Sequence, residues 1–172
     1  MKSKFLILTY IFLFINVCIS QTPLKVVSSN ILFKIKNAGL TVEGKFTNLE
    51  AEINFFPTNL KASTINASID VNTINTGIKS RDNHLKKGEY FDVAKFPKIM
   101  ITSSFFGKKG NAYNGYFKLT IKGITKDVTI PFTFENGVFK GEFTIDRRDF
   151  NVGGNSMIMG DKVLIQVELN TQ

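Results

Sequence analysis

The chain has 172 residues with 22 Lys and Arg against 14 Asp and Glu, a formal net charge of +8, one histidine, one cysteine and no tryptophan. One cysteine excludes a disulfide framework and a thiolate metal site. The basic residues are mostly scattered singly, which is typical of a solvated surface. Their excess would also favour transient contact with anionic membrane surfaces. With no Trp and only four Tyr, the composition does not indicate a nucleic-acid partner.

The first twenty residues have the three parts of a secretory signal peptide. Lys2 and Lys4 precede an apolar run from Phe5 to Val17 that is too short to span a bilayer comfortably, and small or polar residues follow. We therefore expect residues 1–20 to be removed after Ser20. A competing interpretation makes Cys18 a lipid-modified first residue, although no small residue precedes it as in bacterial lipoprotein signals.

Removal of the signal leaves one domain over residues 21–172, with no cysteine and with a net charge of +6, because Lys2 and Lys4 leave. Its length is that of a single domain with a sizeable core. Export without disulfides fits a bacterial periplasm or a secreted protein.

From Ser29 onwards apolar and polar residues alternate with the period of half-buried strands. One predicted strand, Val42 to Phe55, changes parity at Thr47-Asn48, which predicts a bulge or bend, with Gly44 as a place for the backbone to turn. The predicted strands are 29–36, 42–55, 65–71, 99–105, 113–122, 128–134, 139–145 and 163–169.

These eight strands each carry one apolar face, and one short helix cannot cover them. The sheet must therefore cover itself, as a sandwich or as a closed antiparallel barrel. The interior of an eight-stranded barrel is filled by side chains or holds one slender ligand.

The segment Thr76 to Pro97 lacks the strand period and is the densest charged constellation in the chain. Ile78 to Lys87 is predicted to form about two helical turns that end at Gly88. Arg81, Asp82 and His84 lie within it.

These three residues do not amount to a metal or catalytic site. One histidine and one nearby carboxylate supply at most two ligands, and zinc needs three or four. No serine lies in an elbow motif and no thiol is available, so we predict no catalytic residue, no metal and no cofactor. Two roles stay open: Arg81 and Asp82 stabilise the helix while His84 packs over a barrel end, or the three bind a ligand headgroup at the mouth.

A second charged group, Asp146, Arg147 and Asp149, follows a predicted strand and precedes a loop rich in Gly and Asn. We interpret it as a structural lock between the strand end and the loop.

Five segments, in this order, resemble the YceI-like family of exported bacterial proteins, known as polyisoprenoid-binding or lipid-binding barrels. Any one of them would be weak, but five in the same order are specific, and together they cover nearly the whole mature chain. They are Val42-x-Gly44-x-Phe46; Ile69-Asp70-Val71 with Asn75-Thr76-Gly77; Arg81-Asp82-x-His84-Leu85 with Tyr90-Phe91-Asp92 and Phe96-Pro97; Leu119 to Lys126; and Ile145-Asp146-Arg147-x-Asp149-Phe150.

The resemblance implies a lipocalin-like eight-stranded antiparallel β-barrel whose apolar tunnel holds one long-chain lipid, a polyisoprenoid, an isoprenoid quinone or a fatty acid or amide, without catalysis. Phe117 and Asn151 depart from the family, each standing where a glycine is usual, and an inward Phe117 would narrow the tunnel. The expected lining is Phe33, Phe46, Phe55, Ile69, Phe91, Ile101, Phe117, Leu119, Ile130, Phe132 and Phe143.

Two other functions stay open. In one, the barrel core is fully packed and the protein acts through surface interactions with other proteins in envelope stress, with no lipid ligand. In the other, it is an isomerase or hydrolase of lipophilic substrates.

Overall fold

The structure, a computed structural model, describes residues 23–172 as one antiparallel sheet of nine strands with one α-helix, so the predicted all-β class is confirmed. The predicted signal peptide and its cleavage site lie outside the described residues. Three short 3₁₀ helices cover Leu60–Ala62, Val71–Thr73 and Arg147–Phe150. The other elements are β1 (Val26–Asn37), β2 (Leu40–Phe46), β3 (Leu49–Asn54), β4 (Thr64–Asp70), α1 (Lys79–Leu85), β5 (Lys98–Lys109), β6 (Ala112–Ile121), β7 (Ile124–Glu135), β8 (Val138–Asp146) and β9 (Met159–Thr171).

The sheet curls because its two edge strands are neighbours in the chain. The spatial order is β2-β1-β9-β8-β7-β6-β5-β4-β3, and only Thr47 and Asn48 join β2 to β3. Asn48 has a φ of +57°, a left-handed conformation that asparagine tolerates better than most residues. The parity change in the sequence thus marks the bend that carries the chain from one sheet edge to the other, and it divides the single strand predicted there into two.

β1 pairs with β2, and the residues just before β1 also pair with β3, on the other side of the bend. Ile31 pairs with Phe46 of β2, and Leu24, just before β1, donates its backbone N–H to the Ile53 carbonyl of β3 at 2.7 Å. The two pairs share one register. β1 therefore reaches both edges and draws the sheet towards closure, which a flat sheet of nine strands would not allow.

Gly44 does not turn the backbone as the sequence suggested. It lies inside β2, opposite Phe33, and a side-chain carbon placed on it would stand 2.3 Å from the Phe33 ring. The glycine is needed for the close approach of that ring and of Thr76, whose methyl carbon would lie at 2.9 Å.

Aromatic packing closes one end of the curled sheet. Phe55 lies at its centre, with five aromatic rings at centroid distances of 5.1 to 5.5 Å, all of them edge to face, an arrangement that aromatic pairs prefer. These rings belong to Phe106, Tyr113, Phe132, Phe134 and Phe139.

The segment around α1 covers the other end. Leu85 and Phe91 pack against the buried cluster that contains Phe46 and Ile69, and the rings of Phe46 and Phe91 meet edge to face at 6.1 Å. The helix is shorter than predicted: its C-cap is Lys86, in right-handed geometry, and Gly88 is not among the residues with positive φ. Within residues 23–172, no helix is long and apolar enough to cross a bilayer.

Candidate functional site

A cavity of about 300 Å³ lies inside the curled sheet, between the aromatic end and the α1 segment. This volume is at the lower end of the range for small-molecule sites. One wall is formed by three rows of inward-facing residues, and each row takes one residue from β1, one from β9 and one from β8. The rows are Ile31, Val167 and Gly141; Phe33, Ile165 and Phe143; and Ile35, Val163 and Ile145.

The opposite wall comes from β4, β5 and β6. Ala67, Ile101 and Leu119 lie side by side in one register row and all border the cavity. Ala67 is the smallest side chain in this row. Few polar residues border the cavity anywhere; they are Asn37, Ser68, Thr76, Arg81, Tyr90 and Arg147.

Ten of the eleven residues expected to line a tunnel lie on the cavity wall: Phe33, Phe46, Ile69, Phe91, Ile101, Phe117, Leu119, Ile130, Phe132 and Phe143. Phe55 does not, because it is the centre of the aromatic cluster that closes the end. Its inward parity is correct, but alternation along a strand does not encode depth along the barrel.

Phe117 points inward and is almost fully buried. It packs edge to face against Phe106 at 5.7 Å. Its ring covers Gly115, the previous residue on the same face of β6. Phe117 therefore belongs to the aromatic cluster and also borders the cavity.

Thr76 organises the polar groups at the α1 end. Its backbone N–H and its hydroxyl both donate to Asp82 Oδ1, at 2.8 and 2.6 Å. Arg81 Nε donates to the Thr76 hydroxyl oxygen and Arg81 Nη2 to the Thr76 carbonyl, both at 2.7 Å. Arg81 and Asp82 therefore meet through Thr76 and fix the start of α1 against the cavity mouth.

Of the three residues considered for a headgroup, Arg81 alone borders the cavity. Asp82 directs one carboxylate oxygen to Thr76. His84 is half exposed, with Nε2 at 3.6 Å from a Glu89 carboxylate oxygen and its ring 5.0 Å from that of Tyr90. Across residues 23–172, no three of the His, Cys, Asp and Glu side chains come together as metal ligands would.

Arg147 holds the loop that follows the third 3₁₀ helix. Its side chain is 4% exposed, and its nitrogens donate to backbone carbonyls and to Asp161 Oδ1, the latter at 2.8 Å. The carbonyls belong to Val152, Gly153, Gly154, Met159 and Gly160, at 2.7 to 3.4 Å. One guanidinium therefore satisfies both ends of the loop, with fork geometry that lysine does not have.

The other two members of the predicted lock have different positions. Asp146 accepts a hydrogen bond from the Arg148 backbone N–H at 3.0 Å, and this bond, with Lys162 nearby, holds the pKa of the Asp146 carboxyl below its usual range. Asp149 is exposed on the 3₁₀ helix, and it is not the carboxylate that accepts from Arg147. Asp161 is the carboxylate that pairs with Arg147.

Asn151, which stands where the family usually has glycine, has a φ of +53°. Glycine adopts this conformation freely and asparagine tolerates it. The departure therefore keeps the backbone geometry of the loop.

Sequence reasoning missed three anchoring groups: Thr76, Asp161 and Lys122. Lys122 Nζ donates to the carbonyls of Gly88 at 2.7 Å and Asn151 at 2.9 Å, and so ties the turn between β6 and β7 to both segments at the mouth. A single lysine in a turn carries no signal of its distant partners.

A family model described as the YceI-like domain matches residues 24–171 of the chain. The chain belongs to the YceI-like family. Curated YceI-like relatives include Protein YceI of Salmonella arizonae and of Salmonella paratyphi B, each 30% identical over 131 residues, covering 70% of this chain and 69% of the relative.

Solved structures have the same fold. BcnA of Burkholderia cenocepacia is 30% identical with a TM-score of 0.80, covering 85% of this chain and 98% of that one. A Campylobacter jejuni YCEI protein, 23% identical, has a TM-score of 0.68 and covers 76% and 85%. A polyisoprenoid binding domain from Saccharophagus degradans, 16% identical, has a TM-score of 0.64 and covers 86% and 95%.

Proposed function

We propose that this YceI-like protein binds one long-chain isoprenoid or acyl lipid in the cavity and holds or carries it without chemical change. The observation that carries the proposal is a cavity walled by rows of aliphatic and aromatic side chains, with few polar residues on its border, two of which, Thr76 and Arg81, lie at the α1 end. The domain from Saccharophagus degradans, whose name states polyisoprenoid binding, supports the same class of ligand.

The energetics favour a chain without polar contacts along its length. Each methylene that leaves water for an apolar site gains roughly 0.8 kcal/mol. About ten of them would supply roughly 8 kcal/mol, which corresponds to a micromolar dissociation constant before the cost of ordering the chain. Tail burial alone is therefore sufficient for binding.

The lipid headgroup would lie beside Arg81. Two of the Arg81 nitrogens are used by Thr76, and within residues 23–172 Nη1 makes no hydrogen bond. A guanidinium with available N–H donors at the rim of an apolar cavity could bind a phosphate, carboxylate or carbonyl oxygen. The Thr76 hydroxyl donates to Asp82 but also accepts from Arg81 Nε, an arrangement that anchors the start of α1, so we propose binding without catalysis.

The proposed location is the periplasm or the outside of the cell, reached by the predicted signal peptide. A lipid carrier there would move an apolar molecule through water, and sequestering the tail is the whole of its mechanism.

Filling the cavity tests the proposal. Ala67→Phe adds a ring to the cavity wall, and Asn66→Phe places the same ring on the outer face of the same strand. Native mass spectrometry after incubation with a series of polyprenyl alcohols and fatty acids should show one bound lipid on the unsubstituted protein and on Asn66→Phe, and at least tenfold less on Ala67→Phe. Absence of uptake by the unsubstituted protein would favour the packed-core alternative.

A further inference from the structure

Three exposed apolar side chains, Leu40, Met157 and Ile158, form a tip at one end of the molecule. Leu40 is 73% exposed, Ile158 is 64% exposed and Met157 is fully exposed. Leu40 begins β2, and the other two residues directly precede β9. Water-exposed apolar residues of this size, grouped together, indicate a surface that meets something apolar.

Backbone contacts bring the members of the tip together. Asn37 of β1 is the register partner of Leu40 on one side and of Met159 on the other. The Ala38 N–H donates to the Ile158 carbonyl at 2.7 Å. The turn between β1 and β2 and the residues before β9 are therefore one rigid unit, and the tip does not depend on a chance arrangement of loops.

The tip adjoins the cavity mouth. Asn37 and Met159, which lie between its members, both border the cavity. Leu40 continues the inward-facing positions of β2, after Val42 and Phe46, one step beyond the last residue that borders the cavity. The tip thus continues the cavity-facing side of β2 towards the outside.

Lys36 lies beside this apolar tip. Lys36 Nζ donates to the hydroxyl of Thr41, the neighbour of Leu40, at 2.7 Å, and no ion pair within the described part of the chain uses it. On the α1 side of the mouth Lys79, Lys86 and Lys87 likewise have no carboxylate within ion-pair distance among residues 23–172. Cations beside exposed apolar side chains are the combination that binds anionic lipid headgroups and the acyl boundary below them.

We propose that Leu40, Met157 and Ile158 insert into the surface of an anionic lipid bilayer, with Lys36 on the headgroups, so that the cavity mouth opens onto the membrane that supplies the lipid. The purpose of this contact rests on the proposed lipid-binding function, but the contact itself can be measured without it. Docking in this orientation lets a lipid tail enter the cavity without crossing water.

The test is co-flotation of the purified protein with vesicles of phosphatidylglycerol and phosphatidylcholine, compared with phosphatidylcholine alone. We expect binding to the anionic vesicles that weakens with added salt. The variant L40S/M157S/I158S should bind at least tenfold more weakly, and Lys36→Gln about fivefold more weakly.

A matched control removes exposed apolar side chains elsewhere. Val27 is 60% exposed and lies ten residues before Asn37 on β1, about 33 Å away along the strand. Phe105 is 57% exposed beside the aromatic end. V27S/F105S should float with the anionic vesicles as the unsubstituted protein does.

Two results would overturn the proposal: no flotation of the unsubstituted protein with anionic vesicles, or equal flotation of the tip variant and the control variant. Lipid uptake from detergent micelles, read by native mass spectrometry, separates this failure from failure of the lipid-binding function. The tip variant should take up lipid from micelles normally and from vesicles poorly. If no variant takes up lipid from either source, the binding function is wrong, and the flotation result still decides the membrane contact.

Discussion

The ring of Phe117 occupies the space that a side chain at Gly115 would fill, since a carbon placed there would stand 2.3 Å from Phe117 Cε2. The two residues lie two apart on the inward face of β6, so the glycine allows the ring to turn along the strand. Phe117 borders the cavity in this position and is one of the cluster residues that separate the aromatic end from the open interior.

We therefore expect Phe117→Ala to lengthen the cavity and to shift the bound lipids towards longer chains. Loss of this buried ring should also lower the free energy of unfolding by about 3–5 kcal/mol. The lengths are read by mass spectrometry of lipids competed onto the protein, and the stability by urea unfolding. Phe105→Ala, at an exposed site stacked on Tyr116, is the control. An unchanged length preference in Phe117→Ala would refute this placement of the ring.

Gly44→Ala should lower the free energy of unfolding, because Gly44 lies in β2 against Phe33 and Thr76 at the cavity mouth. The added methyl would stand within 3 Å of the Phe33 ring and of the Thr76 methyl, so one of them must move, at a cost of about 1–3 kcal/mol in unfolding free energy. Gly154→Ala is the matched control because no atom lies within 4 Å of its added carbon. Equal stability of the two variants in urea unfolding would show that the space beside Gly44 is larger than described.

Arg147→Met should be among the most damaging single changes outside the hydrophobic core. It leaves five loop carbonyls and Asp161 without the buried cation, and removal of one partner from such a network costs about 3–5 kcal/mol. Asp161→Asn should cost less, because Asp161 is 37% exposed and its other oxygen faces the exposed Arg148. Urea unfolding that ranks Asp161→Asn as the more damaging change would contradict this reading of the network.

Asp146 gives the stability a dependence on pH. Its pKa is lowered in the folded protein, first by the Arg148 N–H and then by Lys162, so the folded state binds the proton less readily than the unfolded chain. The contribution of the Asp146 carboxylate to the free energy of unfolding is therefore fully present above the unfolded pKa of about 3.9. It is lost as the pH falls through the lower pKa of the folded state.

Asp146→Ala should accordingly lower the unfolding free energy by about 1 kcal/mol at neutral pH, as loss of a capping acceptor does. The difference from the unsubstituted protein should shrink below about pH 4 as that carboxylate takes up its proton. Asp146→Asn keeps an acceptor for the Arg148 N–H, so its unfolding free energy should lie between those of Asp146→Ala and the unsubstituted protein. If the difference in unfolding free energy between Asp146→Ala and the unsubstituted protein grows as the pH falls, the Asp146 carboxylate does not stabilise the folded state in this way.

The strands were predictable because each has one buried face, and burial of one face imposes alternation of apolar and polar residues along the chain. The turn at Asn136-Gly137 was predictable for a chemical reason: both residues have positive φ, at +51° and +78°, which Asn and Gly tolerate. The bend at Thr47-Asn48 appeared as a change of parity.

Depth along the barrel and distant polar partners were not predictable in this way. Phe55 and Phe117 have the same inward parity, but one belongs to the closed aromatic end and the other borders the cavity. The carboxylate partner of Arg147, Asp161, lies fourteen residues later, and the contact depends on the path of a glycine-rich loop. Such contacts are set by tertiary packing, and no local pattern in the sequence records them.

The most direct test of lipid binding is native mass spectrometry of the protein purified without detergent from the bacterium that produces it, followed by organic extraction of the same sample. We predict a mass increment equal to one lipid on most of the protein and a single class of long-chain isoprenoid or acyl lipid in the extract. A mass equal to the polypeptide alone, unchanged after incubation with prenyl and fatty lipids, would contradict the proposal that the cavity is a lipid site.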